Sequence, residues 1–165
     1  IEPSHMEIVL KYLEKAGSKL NIKGNTIQIK MQNNSINPVN MTTGIYPGFP
    51  TDLQAQWMSY MICASGPSII TENIYLDRFT HIAELCRFGA DIKLDNNKAY
   101  ISGNNTLKAA PVMSTDIRAS ASLIIAALAA IGTSSISRIY HIDRGYENIE
   151  LKLRSLGADI ERISE

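Results

Sequence analysis

The feature that most constrains this chain is an internal repeat. A Thr-Asp step at 51–52 recurs at 115–116, and each step is followed by an apolar residue, a polar residue and alanine. Each copy then continues in the same order, with a helical pattern, a glycine, a strand pattern, an Asp-Arg pair, a second helical pattern and Gly-Ala-Asp-Ile. Because agreement over so many steps indicates duplicated supersecondary units, the chain is predicted to be built from repeats.

A full copy is predicted to have the element order βαβαββ, which indicates a mixed α/β (α+β) fold. Within a single lobe, we assign residues 38–103 to the second repeat, 111–165 to the third and 1–31 to the back half of a first repeat. The third repeat is expected to end in a strand at 157–163. Glycines are predicted to end the helices, and these are Gly17, Gly66, Gly89, Gly132 and Gly157.

The segment between residues 117 and 131 is apolar almost all round and rich in Ala and Ser, which is typical of a buried helix. It is shorter than the roughly 20 apolar residues that a membrane span needs. We therefore expect the helices to pack together inside the lobe, with the sheets outside them, and no membrane partner.

Composition argues against several other classes of function. Lys plus Arg equals Asp plus Glu, at 16 each, which disfavours nucleic acid as the main partner. The two cysteines lack C-x-x-C spacing and the three histidines lack metal-ligand spacing, so no metal, no cofactor and a reducing cytoplasm are expected. The chain starts in mid-repeat at Ile1 rather than at Met, which favours a fragment of a longer protein over a protein with a degenerate first repeat.

Two aspartates occupy the repeated helix starts, and their position allows two interpretations. Asp52 and Asp116 are placed to cap helices, where a carboxylate accepts hydrogen bonds from free N–H groups. A carboxylate mounted there can also act as a general base toward a bound hydroxyl. Asp52 follows the Pro- and Gly-rich loop 44–50, which suits a pocket, whereas Asp116 follows a plain strand and is more readily structural.

Three arginines lie at or near helix starts, where a positive charge opposes the helix dipole. Arg78 and Arg144 occupy the same position in two repeats, and Arg118 lies just after Asp116. Such arginines either pair with the nearby Asp77, Asp116 and Asp143 or bind an anion, because guanidinium groups hold carboxylate and phosphate through paired hydrogen bonds. The sequence leaves both possibilities open.

Four longer strings carry a resemblance to the enolpyruvyl transferases, and more to the branch that uses UDP-N-acetylglucosamine than to the shikimate-pathway branch. It implies a fold of inside-out βαβαββ repeats in two domains, of which this chain resembles the C-terminal part. The strings are GFPTDLQAQ (48–56), ITENIYLDRFTHIAEL (70–85), STDIRASASL (114–123) and RIYHIDRGYENIELKLRSLGADIERI (138–163).

The resemblance implies that enolpyruvyl moves from phosphoenolpyruvate, a cosubstrate, to a hydroxyl of UDP-N-acetylglucosamine, with release of phosphate. Asp52 falls on the general base and Ile74 on a backbone contact to the sugar nucleotide. Asp116 falls near the reaction centre. The three arginines fall on phosphoenolpyruvate ligands, Arg78 and Arg118 toward its carboxylate and Arg144 toward its phosphate. Asp52, Asp116 and Arg144 form the expected catalytic set.

The catalytic cysteine of that family lies on a loop of the other domain, together with a lysine and a further arginine. Neither Cys63 nor Cys86 matches it, since both lie in helical segments of the repeats. The chain alone is therefore expected to be inactive and to need the N-terminal domain as its partner. The alternatives are a free-standing repeat module that binds an anionic sugar nucleotide without chemistry and a fragment without ligand affinity.

Overall fold

The first unit of the chain is a helix followed by a β-hairpin. In the computed structural model, which describes residues 1–163, a 3-10 turn leads into helix α1, and the hairpin turns at Gly24, whose φ of 54° suits glycine. The two strands pair antiparallel, with Leu20 opposite Ile29. This unit is the predicted back half of a repeat, and its elements are α1 (Glu7–Lys15), β1 (Ser18–Lys23) and β2 (Thr26–Met31).

The middle unit has the full predicted element order βαβαββ. Its strands form one sheet in the order β3-β4-β6-β5, in which β3 and β4 are parallel and the other pairs are antiparallel. The elements are β3 (Met41–Thr42), α2 (Gln54–Ile62), β4 (Ser68–Thr71), α3 (Ile82–Arg87), β5 (Ile92–Asp95) and β6 (Lys98–Ile101).

The third unit has the first four elements of the predicted order, βαβα, with β7 and β8 parallel. After these elements it departs from the prediction. The expected strand at 157–163 is wrong, because residues 158–163 join no ladder and the Ile160 carbonyl accepts hydrogen bonds from the Arg154 guanidinium instead. Ser164 and Glu165 lie outside the described residues. The elements are β7 (Pro111–Met113), α4 (Ile117–Ala129), β8 (Ser135–Ser137), α5 (Tyr140–Asp143) and α6 (Ile149–Ser155).

Helices α2 and α4 form the centre of the core. Most of their side chains are buried, and the Ser59 hydroxyl of α2 donates to the Ser122 carbonyl of α4 over 2.8 Å. Helix α1 joins them where Tyr12 contacts the edges of Phe49 and Trp57. The hairpins lie outside, with β1, β2 and β5 largely exposed. The predicted arrangement of inner helices and outer sheets is confirmed.

The fold brings several of the predicted site residues together through its loops. The parallel strands β3 and β4 end at the same edge of their sheet, so loop 43–50 before α2 and turn 72–78 after β4 lie side by side. Packing of α2 against α4 then places the start of α4 beside the start of α2. Asp52, Arg78 and Arg118 reach one another by this route.

Among the described residues, none of the helices combines the length and the apolar character that crossing a membrane requires.

Candidate functional site

An open cleft of ≈ 540 Å³ lies where the starts of α2 and α4 meet the turn after α5. Its lining includes both carboxylates and guanidinium groups. Asp52 and Leu53 line it from the 3-10 turn before α2, and Arg144 lines it from the turn after α5. The remaining lining residues are Thr115, Asp116, Ile117, Arg118, His141, Gly145 and Tyr146.

Asp52 is held between two arginines rather than used as a helix cap. Its Oδ1 accepts hydrogen bonds from Arg78 Nη1 at 2.7 Å and from Arg118 Nε at 3.0 Å. Neither the 3-10 turn Thr51–Leu53 nor α2 has a side-chain cap. The capping interpretation of Asp52 is therefore wrong. The two arginines pair with a carboxylate, but with none of the expected Asp77, Asp116 and Asp143. Asp52 belongs to the same repeat as Arg78 and to a different repeat from Arg118.

The arginines also set the charge state of Asp52. Partial burial pushes the pKa of Asp52 upward, but the hydrogen bond from Arg78 and the charge of Arg118 outweigh it and hold that pKa below its ordinary value. The side chain is 59% exposed, so solvent screens these ion pairs and their contribution to stability is small. In this arrangement Asp52 is an ionised carboxylate and a weak base.

Arg144 is placed differently from its counterpart Arg78. Its side chain is exposed and lines the cleft, and within residues 1–163 it makes no hydrogen bond or ion pair. The neighbouring Asp143 does not bind it, because both carboxylate oxygens of Asp143 accept from Arg162, at 2.9 and 2.6 Å. Arg144 thus brings to the cleft a guanidinium without a partner among residues 1–163, which is a suitable group for an anion.

Asp116 is a helix cap, as its position after a plain strand suggests. Its Oδ1 accepts from the backbone N–H groups of Arg118 at 2.8 Å and Ala119 at 3.0 Å, and it precedes α4 in an extended conformation. It also lines the cleft beside Arg118. The cap fixes the first turn of α4, and with it the base of the Arg118 side chain.

Ile74 lies in the turn that follows β4 and is exposed at the same end of the sheet. Its N–H donates to the Glu72 carboxylate over 2.8 Å, so a backbone contact to a ligand would use its carbonyl oxygen. The turn continues to Arg78, whose guanidinium lies over the Tyr75 ring at 5.1 Å. Ile74 and Arg78 therefore belong to one turn.

The sequence did not reveal the groups that support these residues. Glu72 is fully buried and contacts the turn around Ile74, while Thr51 accepts a hydrogen bond from Arg78 Nη1 at 3.1 Å. The available signal was a glutamate directly after the apolar strand pattern SIIT, at the point where the chain enters a turn. Within the part of the chain that the structure describes, His, Cys, Asp and Glu side chains form no cluster of three or more suited to a metal ion.

Comparison with known proteins gives consistent results. Residues 1–153 match the protein family described as EPSP synthase (3-phosphoshikimate 1-carboxyvinyltransferase). UDP-N-acetylglucosamine 1-carboxyvinyltransferases from Geotalea daltonii and Geobacter metallireducens are 52% and 50% identical, each over 161 residues. Each alignment covers 98% of this chain and 38% of the relative, so the chain spans about 38% of the length of these relatives.

Solved structures support the same fold. The enolpyruvyl transferase NikO from Streptomyces tendae superposes with a TM-score of 0.85 at 26% identity, covering 94% of this chain and 36% of that protein. EPSP synthase from Acinetobacter baumannii superposes with a TM-score of 0.71 at 16% identity, covering 96% of this chain and 37% of that protein, which shows likeness of fold.

Proposed function

Because the chain belongs to the EPSP synthase (3-phosphoshikimate 1-carboxyvinyltransferase) family, we propose that it forms part of a transferase that moves enolpyruvyl from phosphoenolpyruvate to a hydroxyl of UDP-N-acetylglucosamine. The reaction releases phosphate and is the first committed step of peptidoglycan synthesis. This assignment places the enzyme in the bacterial cytoplasm and links it to cell shape and division. The identity of about half the residues to named UDP-N-acetylglucosamine enzymes favours this substrate over shikimate 3-phosphate.

The observation that carries the proposal is the cleft, in which Asp52 contacts Arg118 of the lining and Arg78 beside it, while the guanidinium of Arg144, which also lines the cleft, has no partner among residues 1–163. Phosphoenolpyruvate carries a carboxylate and a phosphate ester on the same carbon, C2, and each is a natural partner for arginine. A hydroxyl nucleophile needs a carboxylate within hydrogen-bond reach. This set of groups supplies both requirements.

We assign the roles as follows. Asp52 takes the proton of the sugar hydroxyl as the hydroxyl oxygen bonds to C2 of phosphoenolpyruvate. At the same time, C3 gains a proton from a group outside this chain. The resulting tetrahedral intermediate returns a proton from C3 to that same outside group, and the C2–O bond to phosphate breaks, with its electron pair leaving on phosphate. Asp52 then releases its proton to solvent. Arg78 and Arg118 bind the carboxylate and Arg144 binds the phosphate, where they stabilise developing charge. The Ile74 carbonyl contacts the sugar nucleotide.

Binding of the cosubstrate and activation of the base are coupled in this scheme. The carboxylate of phosphoenolpyruvate competes with Asp52 for Arg78 and Arg118, since these guanidinium groups now bind Asp52. When they turn to the cosubstrate, Asp52 loses the charges that lower its pKa and becomes a better base. Asp116 holds the start of α4, so that Arg118 can change partner without movement of its backbone.

The test is an assay of the complete gene product that contains this chain. Phosphate release from phosphoenolpyruvate should depend on UDP-N-acetylglucosamine, and Asp52→Ala or Arg144→Ala should lower kcat/KM by about 10² or more. Arg87→Ala is the matched control, because Arg87 is an exposed arginine on α3 that does not line the cleft. Near-normal turnover of either cleft variant contradicts its assigned role.

Titration of the isolated chain separates the proposal from its alternatives. We expect weak binding of UDP-N-acetylglucosamine and no turnover, because the chain spans about 38% of the length of its relatives. Binding by the complete gene product without any phosphate release would instead favour a non-catalytic sugar-nucleotide module. If neither the isolated chain nor the complete gene product bound UDP-N-acetylglucosamine, only a structural role would remain for this chain.

A further inference from the structure

Glu72 is a buried carboxylate that contacts two of the loops at the cleft. It follows β4 directly and is 0% exposed. Its Oε1 accepts hydrogen bonds from Thr43 Oγ1 at 2.6 Å, from Ile74 N at 2.8 Å and from Tyr75 N at 3.0 Å. Its Oε2 accepts from Thr51 Oγ1 at 2.9 Å. Four donors and no cationic group therefore contact this carboxylate among the described residues.

Burial of a carboxylate is costly unless hydrogen bonds replace its hydration. A polar turn after a β-strand can be closed with a neutral side chain, so turn formation alone does not require a charge here. The four donors come from the end of β3, from the start of the 3-10 turn before α2 and from the turn after β4. Glu72 is thus the point at which the loops carrying Asp52, Ile74 and Arg78 are joined.

Thr51 connects Glu72 to Arg78 through two hydrogen bonds. A hydroxyl has a single proton, and that of Thr51 is directed to Glu72. The lone pairs of Thr51 Oγ1 consequently face Arg78, whose Nη1 donates to that oxygen over 3.1 Å and also to Asp52 over 2.7 Å. The negative charge of Glu72 polarises the hydroxyl toward this arrangement and orients the Arg78 guanidinium.

We propose that Glu72 is a positioning residue for the transfer reaction, which orients Arg78 through Thr51 and fixes the backbone of Ile74. The proposal rests on the function proposed above for the cleft. It assigns Glu72 no contact with either substrate.

Glu72→Gln is the informative substitution because it keeps the shape of the side chain. With the amide oxygen at the Oε1 position, the hydrogen bonds from Ile74 and Tyr75 persist. The amide nitrogen at the Oε2 position now donates to Thr51, so the direction of that hydrogen bond reverses and the Thr51 proton is no longer held away from Arg78. The orientation of Arg78, the proposed ligand of phosphoenolpyruvate, is therefore weakened. The backbone position of Ile74, the proposed contact to the sugar nucleotide, is kept.

Kinetics of the complete gene product should show this separation. Glu72→Gln should raise KM for phosphoenolpyruvate about tenfold, as expected for losing one charge-assisted hydrogen bond, with KM for UDP-N-acetylglucosamine nearly unchanged. Thr51→Val should have the same effect, Thr51→Ser should not, and Glu72→Gln with Thr51→Val should be no worse than Thr51→Val alone. Ser68→Ala is the control, because Ser68 is buried on β4, the strand that precedes Glu72, and its hydroxyl has no partner among the described residues.

A second measurement does not depend on enzyme activity. In the NMR spectrum of the chain, Glu72→Gln and Thr51→Val should shift the side-chain N–H signals of Arg78, and Ser68→Ala should not. Unmoved Arg78 signals, or equal changes in both KM values, would overturn the positioning role and leave Glu72 a structural residue. If the complete gene product has no transferase activity, the proposed function fails, and the Arg78 signals still decide whether Glu72 positions the arginine.

Discussion

The buried histidine before α3 makes the stability of this chain dependent on pH. His81 is 2% exposed, stacks on Phe79 with ring centroids 6.5 Å apart, and has an Nε2 atom without a hydrogen-bond partner among the described residues. Burial lowers the pKa of His81 from 6.5 to about 4, while the charge of Asp116 opposes the shift and that of Arg78 adds to it. The imidazole is therefore neutral in the folded chain at pH 7.

The sign and size of the effect follow from proton binding. As the pH falls from 6.5 toward 4, the unfolded chain takes up a proton on His81 before the folded chain does, so acid favours unfolding. With these two pKa values, the linkage relation gives a loss on the order of 2 kcal/mol in the free energy of unfolding between about pH 7.5 and about pH 5. Most carboxylates remain ionised over that interval, so their contribution is smaller.

Urea unfolding followed by the fluorescence of Trp57, the single tryptophan, measures this loss. His81→Leu removes the titrating group and the unpartnered nitrogen. Between about pH 7.5 and about pH 5, the free energy of unfolding of this variant should therefore fall by about 2 kcal/mol less than that of the parent chain. His5→Gln, at an exposed histidine, should behave like the parent. The reasoning would be refuted if the free energies of unfolding of the parent and of His81→Leu changed in parallel with pH, or if NMR gave His81 a pKa near 6.5.

Asp52→Asn removes the carboxylate that Arg78 and Arg118 bind, so calorimetry should show about fivefold tighter binding of inorganic phosphate, given the small energies of exposed ion pairs. Asp143→Asn, whose arginine partner does not line the cleft, is the control, and unchanged or weaker binding by Asp52→Asn contradicts the competition. Gly103→Ala should lower the free energy of unfolding by roughly 3 kcal/mol, because φ is +67° and the new Cβ would overlap the Gly66 carbonyl oxygen. Gly24→Ala, at a φ of +54° with open space around it, should cost only about 1–2 kcal/mol, and equal losses in urea unfolding would exclude the overlap.

Local signals predicted most of the secondary structure because they act within a few residues. Gly17, Gly89 and Gly157 all have φ near +100°, and each directly follows the C-cap residue of a helix, where glycine meets no steric penalty. Gly66 was predicted to do the same and does not, since α2 ends at Ile62 and Gly66 has no positive φ. That helix instead stops where the chain must turn back toward β4.

The site was harder to predict because its contacts are long-range. Aspartates near the arginines in sequence were the expected partners, yet Arg78 and Arg118 both bind Asp52, from which they are separated by 26 and 66 positions. Such pairs depend on how α2 packs against α4, which periodicity does not specify. The resemblance predicted the site residues, whereas the packing shows which of them contact one another.

The two repeated aspartates show how duplication can produce different functions from the same local sequence. In the third repeat α4 begins directly after Asp116, so the carboxylate faces the free N–H groups of the first turn and is used as a cap. In the second repeat a 3-10 turn spans Thr51–Leu53 and delays the start of α2 to Gln54. Asp52 then lies within the turn, has no cap to make, and its carboxylate extends into the cleft, where arginines from both repeats bind it. A change of less than one helical turn thus separates a carboxylate that caps a helix from one that lines the cleft and binds arginines.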